Sequence, residues 1–371
     1  MRDSVSDTSA ERLSADGDDT ARRPAAGGDP GPRGPAGPAQ APGPGQHGDP
    51  RGRVEQNRLH VITSRYALVL VWLAVAVLYY VLMPGTFGSW GAVRSIFGGQ
   101  PVLVFLAMSA LITLMVGEFD LSIAAIMGLA ATIVPVLAGL HGVNIWLACV
   151  VALAACALVG AVNAFFVVRL DVSSLVVTLG AGTLVTGISQ AISSSNVVSV
   201  QDRLFRELTG HPVLGMPVSF YYGLALTLGI AYIMGYTPLG RHMLFVGANR
   251  EVARLAGIRV ERIRVGAYII SSLVAGMAGL IIVSTLGGFD SGTAMQYLLP
   301  ALAAVFLGTA VVHPGRFNPI GTLIAIYFLW TGIFGLQLLG FAGWIQNVFY
   351  GAGLVVAVAL AKIVRNRSKV T

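Results

Sequence analysis

The sequence predicts an all-α membrane protein whose chain crosses the bilayer about ten times. Hydrophobic residues make up 55% of the 371 residues and charged residues only 11%, whereas a soluble domain has roughly 25% charged residues. The mean hydropathy is +0.75. The apolar stretches lack the alternating pattern of transmembrane β-strands. Because a bilayer accepts only helices and closed barrels, helices are the expected spanning elements.

Residues 1–60 differ in composition from the rest of the chain. They contain 8 Arg, 9 Asp or Glu and 8 of the 17 Pro. A segment with so little apolar surface cannot offset the entropy lost on ordering, and it contains no apolar stretch typical of a signal peptide. We therefore expect a disordered Pro/Gly-rich cytoplasmic tail at 1–60, a membrane domain at 61–365 and a short cytoplasmic C-terminal tail at 366–371.

Ten segments approach the roughly 17 to 25 apolar residues that a transmembrane helix needs. Some are separated by only a few residues, so we expect tight hairpins or one or more broken helices. Small residues are frequent within the segments, and such residues let helix backbones approach closely in lipid. The segments lie at about 66–83, 101–116, 121–139, 143–168, 175–192, 219–236, 266–286, 297–312, 319–340 and 343–361.

The basic residues indicate the orientation. If the tail is cytoplasmic, ten spans place 13 of the 16 Lys and Arg residues that follow residue 60 on the inside. Cytoplasmic loops carry such an excess of basic residues. Only Arg94, Arg203 and Arg206 fall outside. We therefore expect a multi-pass protein with both termini in the cytoplasm.

The sequence contains neither the P-loop motif of an ATPase nor a pattern of metal-ligating residues. Its two lysines, Lys362 and Lys369, do not follow the glycine-rich loop of a P-loop ATPase. The six histidines are scattered rather than spaced as metal ligands. Cys149 and Cys156 lie on one face of an apolar segment, where they are expected to act as small apolar filler. We expect a chain with no enzymatic site, metal or cofactor of its own.

The acidic residues of the membrane domain fall at segment boundaries, which argues against proton-coupled transport, because ion-driven carriers keep such groups within the bilayer. The exception is Glu118-Phe119-Asp120, between the second and third segments. Asp120 is expected to cap the following helix by accepting from its first free amides. In the alternative interpretation, both acids lie at membrane depth within a broken helix.

The most distinctive segment is the loop 237–264. Between Arg241 and Arg264 it contains 6 Arg and 2 Glu, a net charge of +4. We expect Asn249 to cap a short helix and Gly257 to end it, with an apolar face that includes Val252 and Leu255. Such a helix, lying parallel to the membrane, can dock a peripheral partner. The alternative is a positively charged loop that contacts anionic lipid.

Two motifs carry a resemblance to a known family. The pattern Gly240-Arg241, Gly247-x-Asn249-x-x-x-Ala253-x-x-x-Gly257-Ile258-x-Val260 resembles the cytoplasmic coupling segment of the ribose-type permeases of ABC importers. The segment 117–122, Gly-Glu-Phe-Asp-Leu-Ser, is similar to that family's Gly-Gly-Ile-Asp-Leu-Ser signature, from which Glu118 and Phe119 depart. The likeness covers about 65–365. It implies an all-α permease that translocates a ribose-like monosaccharide across a bacterial cytoplasmic membrane.

The resemblance also implies the partners. They are a separate ABC ATPase subunit that binds ATP and Mg, an extracellular substrate-binding protein docked on loops such as 193–218 and 287–295, a second permease copy in a homodimer, and membrane lipid; nucleic acid is not among them. By the same resemblance, Asp120 and Ser122 belong to the signature. The residues expected in the groove of the ATPase subunit are Gly247, Asn249, Glu251, Ala253 and Gly257.

The sequence is compatible with more than one solute and more than one class of transporter. Permeases for nucleosides or amino acids share the architecture, and a self-contained secondary carrier is the main alternative class. No residue is assigned to the solute, because the polar and aromatic candidates are equally well explained by helix packing. The segment 117–120 echoes Gly287-Gly288-Phe289-Asp290, which predicts inverted-repeat halves. The candidates for a solute path are Asn163, Gln190, Tyr327, Trp330, Gln337 and Gln346.

Overall fold

The computed structural model describes residues 50–312 and 315–367. The chain divides at residue 50 into two units, and all the described residues except Pro50 belong to the second. The tail expected at 1–60 therefore lies largely outside the described residues. Its last part, from Pro50 onward, belongs to the first helix.

The described residues form fourteen α-helices and four strands of two residues each. The helices are α1 (Pro50–Leu82), α2 (Trp90–Gly98), α3 (Pro101–Met115), α4 (Ile123–Pro135), α5 (Ile145–Ala164), α6 (Ser174–Ile192), α7 (Arg203–Gly210), α8 (Val218–Tyr236), α9 (Pro238–Ala248), α10 (Arg250–Leu255), α11 (Val260–Leu286), α12 (Leu298–Gly308), α13 (Pro319–Leu338) and α14 (Trp344–Arg367). The strands are β1 (Val198–Ser199), β2 (Pro212–Val213), β3 (Met216–Pro217) and β4 (Gly288–Phe289). Short π-helical turns extend α4 at Val136–Leu140 and α5 at Phe165–Arg169, and a 3₁₀-helix at Ser291–Tyr297 leads into α12.

Eight helical segments of the described chain are long and apolar enough to cross a membrane. Two shorter apolar helices, Tyr66–Leu82 and Trp344–Ala359, coincide with the first and last of the ten expected segments. The polytopic all-α fold is thereby confirmed. The second span begins earlier than expected, at Trp90, because α2 and α3 follow each other with a break at Gly99-Gln100. The eight segments are Trp90–Met115, Ile123–Leu140, Ile145–Arg169, Ser174–Ile192, Val218–Tyr236, Val260–Leu286, Ser291–Gly308 and Pro319–Leu338.

Helices α3, α4 and α11 form the centre of the bundle. Nearly every residue of α3 and all of α4 are buried, as is typical of helices that are apolar on all sides. Helix α11 packs against α3, α4 and α5. A reciprocal pair joins α3 to α11: the hydroxyl of Ser109 donates to the carbonyl of Ser271 at 2.8 Å, and that of Ser271 donates to the carbonyl of Ser109 at 3.0 Å. These hydrogen bonds tie the middle of α3 to the middle of α11.

The loops gather at two ends of the bundle. At one, the strand end, β1 pairs with β4 in antiparallel register, with Val198 opposite Phe289, and β2 pairs with β3. At the other, the arginine end, Arg250 and Arg264 both contact Glu118, which follows α3. Helix α3 therefore ends where α11 begins, so these two central helices run in opposite directions.

The two copies of the repeated motif have the same local geometry. Gly117 and Gly287 both have a left-handed backbone, with φ of +78° and +77°. Three residues later, Oδ1 of Asp120 accepts from the amide of Ser122 at 2.9 Å, and Oδ1 of Asp290 accepts from the amide of Gly292 at 2.9 Å. The motifs follow the antiparallel helices α3 and α11 and lie at opposite ends of the bundle. This arrangement agrees with inverted repeats.

Candidate functional site

The arginine end presents a short helix between two longer ones. Asn249 lies between α9 and α10 and caps the start of α10; its side-chain oxygen accepts from the amide of Val252 at 3.1 Å. Gly257 follows α10 with φ of +78°, a conformation that L residues with a Cβ adopt only at a cost. The cap and the helix end expected from the sequence are confirmed. We call residues 247–257 the coupling segment, after the resemblance.

Helix α10 turns its apolar side chains away from the protein. Val252 is 47% exposed and Leu255 88% exposed. Glu251 is also exposed, 3.5 Å from Arg254. Ala253 faces the other way and is fully buried. Ala253 is therefore the one residue expected in a partner's groove that is not accessible; the other four, Gly247, Asn249, Glu251 and Gly257, are exposed.

Gly247 attaches the coupling segment to the bundle. A Cβ at this position would overlap the carbonyl oxygen of Met115 and would lie 3.3 Å from the amide nitrogen of Gly117. The backbone of α9 thus lies directly on the end of α3, which only glycine permits. This residue, also expected in the partner's groove, has a packing role inside the chain.

A cluster of buried charge lies beneath the coupling segment. Oε1 of Glu118 accepts from Nη2 of Arg250 at 2.8 Å and from Nε of Arg264 at 2.6 Å. The side chains of Glu118 and Arg264 are 3% and 7% exposed. Arg250, which is more exposed, also donates to the carbonyl of Gly117 at 3.1 Å. Sequence reasoning assigned Glu118 to a boundary and missed these ion pairs.

The helix-capping role expected of Asp120 is corrected by the structure. Helix α4 begins at Ile123, so Ser122 occupies the N-cap position, and its side chain makes no capping hydrogen bond. Asp120 accepts from both the amide and the hydroxyl of Ser122. An aspartate reaches the amide two residues ahead in this way when it forms a local turn. Both residues are buried, in the connection between α3 and α4.

A buried polar cluster surrounds Ser122. Nδ2 of Asn163, from α5, donates to the Ser122 hydroxyl at 2.9 Å, and the hydroxyl of Thr178, from α6, accepts from the amide of Leu121 at 3.1 Å. Among the described side chains, Oδ2 of Asp120 and Oδ1 of Asn163 are buried without a hydrogen-bond partner. The signature segment is thus a junction of α4, α5 and α6 inside the protein.

The aromatic candidates for a solute path pack against other rings. Tyr327 lies 4.9 Å from Phe97 and 6.5 Å from Trp72, measured between ring centroids. Nε1 of Trp330 donates to the carbonyl of Ser95 at 3.3 Å. These contacts tie α13 to α1 and α2, in agreement with the packing interpretation.

The strand end carries an open polar depression. Asp202 caps the start of α7; its side chain accepts from the amide of Phe205 at 2.9 Å. A cavity of about 510 Å³ is lined by this helix and its flanks, including Arg203, Arg206 and Glu207. The hydroxyl of Thr209 pairs with that of Ser284 at 2.8 Å, which fixes α7 on α11. Within the described chain, no group of three or more His, Cys, Asp or Glu residues could hold a metal ion.

The chain resembles transport permeases of known systems. Residues 92–358 match the protein family described as "Branched-chain amino acid transport system / permease component". The L-arabinose transport system permease protein AraH of Escherichia coli (strain K12) is 27% identical over 298 residues, which are 80% of this chain and 90% of the relative.

Two further relatives are import permeases. The ribose import permease protein RbsC of Escherichia coli (strain K12) is 28% identical over 262 residues, 69% of this chain and 81% of the relative. The autoinducer 2 import system permease protein LsrC of Escherichia coli O157:H7 is 27% identical over 290 residues, 77% of this chain and 84% of the relative. No solved structure matches the chain.

Proposed function

Because the chain belongs to the family of transport-system permease components that its residues 92–358 match, we propose that it is the membrane-spanning permease subunit of an ABC importer for a monosaccharide. The solute is inferred from relatives that are named for L-arabinose and ribose. A separate ATPase subunit binds ATP and Mg and supplies the energy. This permease has no ATP-hydrolysing site of its own.

One observation carries the proposal: α10 combines an exposed apolar surface with a firm attachment to the bundle. Val252 and Leu255 are exposed at the arginine end, where water would otherwise meet them. Gly247 lies on the end of α3, so a force on α10 reaches a central helix. A partner that binds this surface and moves upon nucleotide binding can therefore act on the bundle.

The arginine end faces the cytoplasm in this proposal. The loop 237–264 contains six Arg residues and only two Glu residues, and basic loops stay on the cytoplasmic side. Both termini are then cytoplasmic, and the strand end faces outward. A loaded substrate-binding protein docks there, on α7 and the paired strands β1 and β4. A second copy of the chain completes the transport unit.

Uptake measurements test the solute class. The full chain, reconstituted in liposomes with its ATPase subunit and its binding protein, is expected to import a labelled pentose such as arabinose or ribose only when ATP is present. The same vesicles with the variant Leu255→Asp should import none, because the substitution puts a charge on the partner-binding surface and leaves the buried core untouched. Pentose uptake without ATP would contradict the proposal.

The family description supports a second candidate solute, a branched-chain amino acid. Labelled leucine, offered to the same vesicles, distinguishes the two. ATP-dependent leucine uptake without pentose uptake would replace the sugar and would leave the importer architecture intact.

A further inference from the structure

We propose that Glu118 is a positioning residue that clamps the coupling segment to both α3 and α11, so that movement of α10 is passed to the two central helices together. The inference rests on the proposed function for its role in transport. The clamp itself is a property of the chain alone and can be tested without any partner.

The clamp centres on one shared carboxylate oxygen. Oε1 of Glu118 accepts from Arg250, on α10, at 2.8 Å and from Arg264, on α11, at 2.6 Å. One atom thus joins two helices to the connection that follows α3. Charge-assisted hydrogen bonds of this kind are stronger than those between neutral groups.

The charged cluster is shielded from water. The side chains of Glu118 and Arg264 are almost completely buried, and Arg264 lies against the carbonyl of Val167 at 3.4 Å. Water screens such a pair far less than it screens a surface pair. The exposed pair of Arg169 and Glu261, 3.6 Å apart at the same end, offers a contrast, because exposed pairs contribute little to stability.

Arg250 makes two contacts with the segment that follows α3. Its Nη2 atom donates both to the carbonyl of Gly117 at 3.1 Å and to Glu118 at 2.8 Å. Arg250 is also the first residue of α10. The side chain therefore holds the start of the coupling helix against the end of α3, beside the backbone contact that Gly247 makes with Met115.

The clamp is also joined to the rest of the bundle. Helices α3 and α11 are already joined by the reciprocal Ser109 and Ser271 hydrogen bonds. Since Glu118 follows α3 and Arg264 lies on α11, the clamp binds α10 to a pair of helices that are already tied to each other. Glu118 is also a position at which this chain departs from the signature that it resembles.

Hydrogen exchange in the full chain in lipid nanodiscs tests the clamp. Arg250→Gln removes the half-exposed partner and leaves Glu118 paired with Arg264, so the fold is expected to persist. We expect the amides of residues 250–257 to exchange roughly tenfold faster, as loss of a charge-assisted hydrogen bond predicts. Arg250→Lys keeps the charge and should restore part of the protection. Arg262→Gln removes an exposed arginine of the same loop and should change nothing.

Transport supplies the second measurement. In the reconstituted complex, Arg250→Gln is expected to raise the number of ATP molecules hydrolysed per solute imported, with the subunits still assembled, and Arg250→Lys to lower that ratio again. Unchanged exchange at 250–257 in Arg250→Gln would overturn the clamp. Faster exchange with an unchanged ratio would overturn the positioning role. Solute uptake by the unaltered chain without ATP would overturn the proposed function and the transport role of Glu118, while the exchange result would still decide the clamp.

Discussion

Gly247 lies with its backbone against the carbonyl oxygen of Met115, where the Cβ of any other residue would overlap that oxygen. The contact brings the last turn of α9 onto the last residue of α3. It explains in physical terms why glycine stands at this point of the coupling segment. The segment is held to the bundle by its backbone as well as by side chains.

Replacement of Gly247 by alanine should therefore separate α9 from α3. We expect Gly247→Ala to lower the free energy of unfolding by roughly 1–3 kcal/mol, the usual cost of overpacking, as measured by thermal unfolding in detergent. Gly266→Ala is the matched control, because a Cβ at Gly266, in α11, meets nothing within 4 Å. Equal stability of the two variants would contradict the close-contact account.

The N-cap of α10 makes a local prediction. The side-chain oxygen of Asn249 accepts a hydrogen bond from the amide of Val252. Loss of such a cap costs about 1 kcal/mol of helix stability. Asn249→Ala should therefore increase hydrogen exchange within 250–255. Asn249→Asp, which keeps the accepting oxygen, should retain most of the protection. Equal exchange in both variants would mean that the side chain does not stabilise this helix.

Because the ion pairs of Glu118 are buried, replacement of this residue should cause a large loss of stability. Glu118→Gln leaves Arg264 charged and buried with no counter-charge, a change that typically costs roughly 3–5 kcal/mol. The exposed Glu261→Gln should cost ~0–1 kcal/mol. Thermal unfolding of the two variants makes the comparison. Addition of Arg264→Gln to Glu118→Gln is expected to recover part of the loss, because the second substitution removes the buried charge.

The raised pKa of Asp120 predicts that the stability of the protein depends on pH. Burial raises the pKa of Asp120, in the connection between α3 and α4, from 3.8 to about 6, while hydrogen bonds from Ser122 act in the opposite direction. A carboxyl group whose pKa is raised in the folded state stabilises the protein below its unfolded pKa, and this stabilisation is lost as the pH rises through the folded value. The loss therefore falls between about pH 4 and pH 6.

Asp120→Asn, a neutral variant of the same shape, should not show that loss. The melting temperature of the variant relative to the unaltered chain is expected to rise between pH 4 and pH 7. The comparison uses the difference between the two proteins because other titrating groups act equally on both. A difference that stays constant over this range would show that Asp120 does not titrate there.

Local sequence signals predicted the start and the end of the short helix α10 correctly. The cap at Asn249 depends on an amide three residues away, and the end at Gly257 depends on the conformation of one residue. Such features are decided by neighbours in the chain, so a pattern of residues suffices to predict them. The apolar segments could also be predicted from local sequence, because the bilayer sets the length and composition of a helix that spans it.

Contacts between distant residues could not be predicted in this way. Glu118 and Arg264 lie 146 positions apart, and nothing in the sequence distinguished Arg264 from the other arginines of its loop. The burial of Ala253 was missed for a related reason. The charged and apolar residues around it outline a surface helix, whereas the packing of its small side chain depends on which helices lie beneath.

Purification of the tagged chain from its native membrane tests the central claim most directly. Extraction in a mild detergent, followed by identification of co-purifying proteins, is expected to recover an ATPase subunit with a P-loop. The variant Leu255→Asp, altered only at an exposed position, should insert normally and lose that subunit. Isolation of the unaltered chain alone, with solute movement in liposomes that needs no nucleotide, would contradict the account and indicate a self-contained carrier.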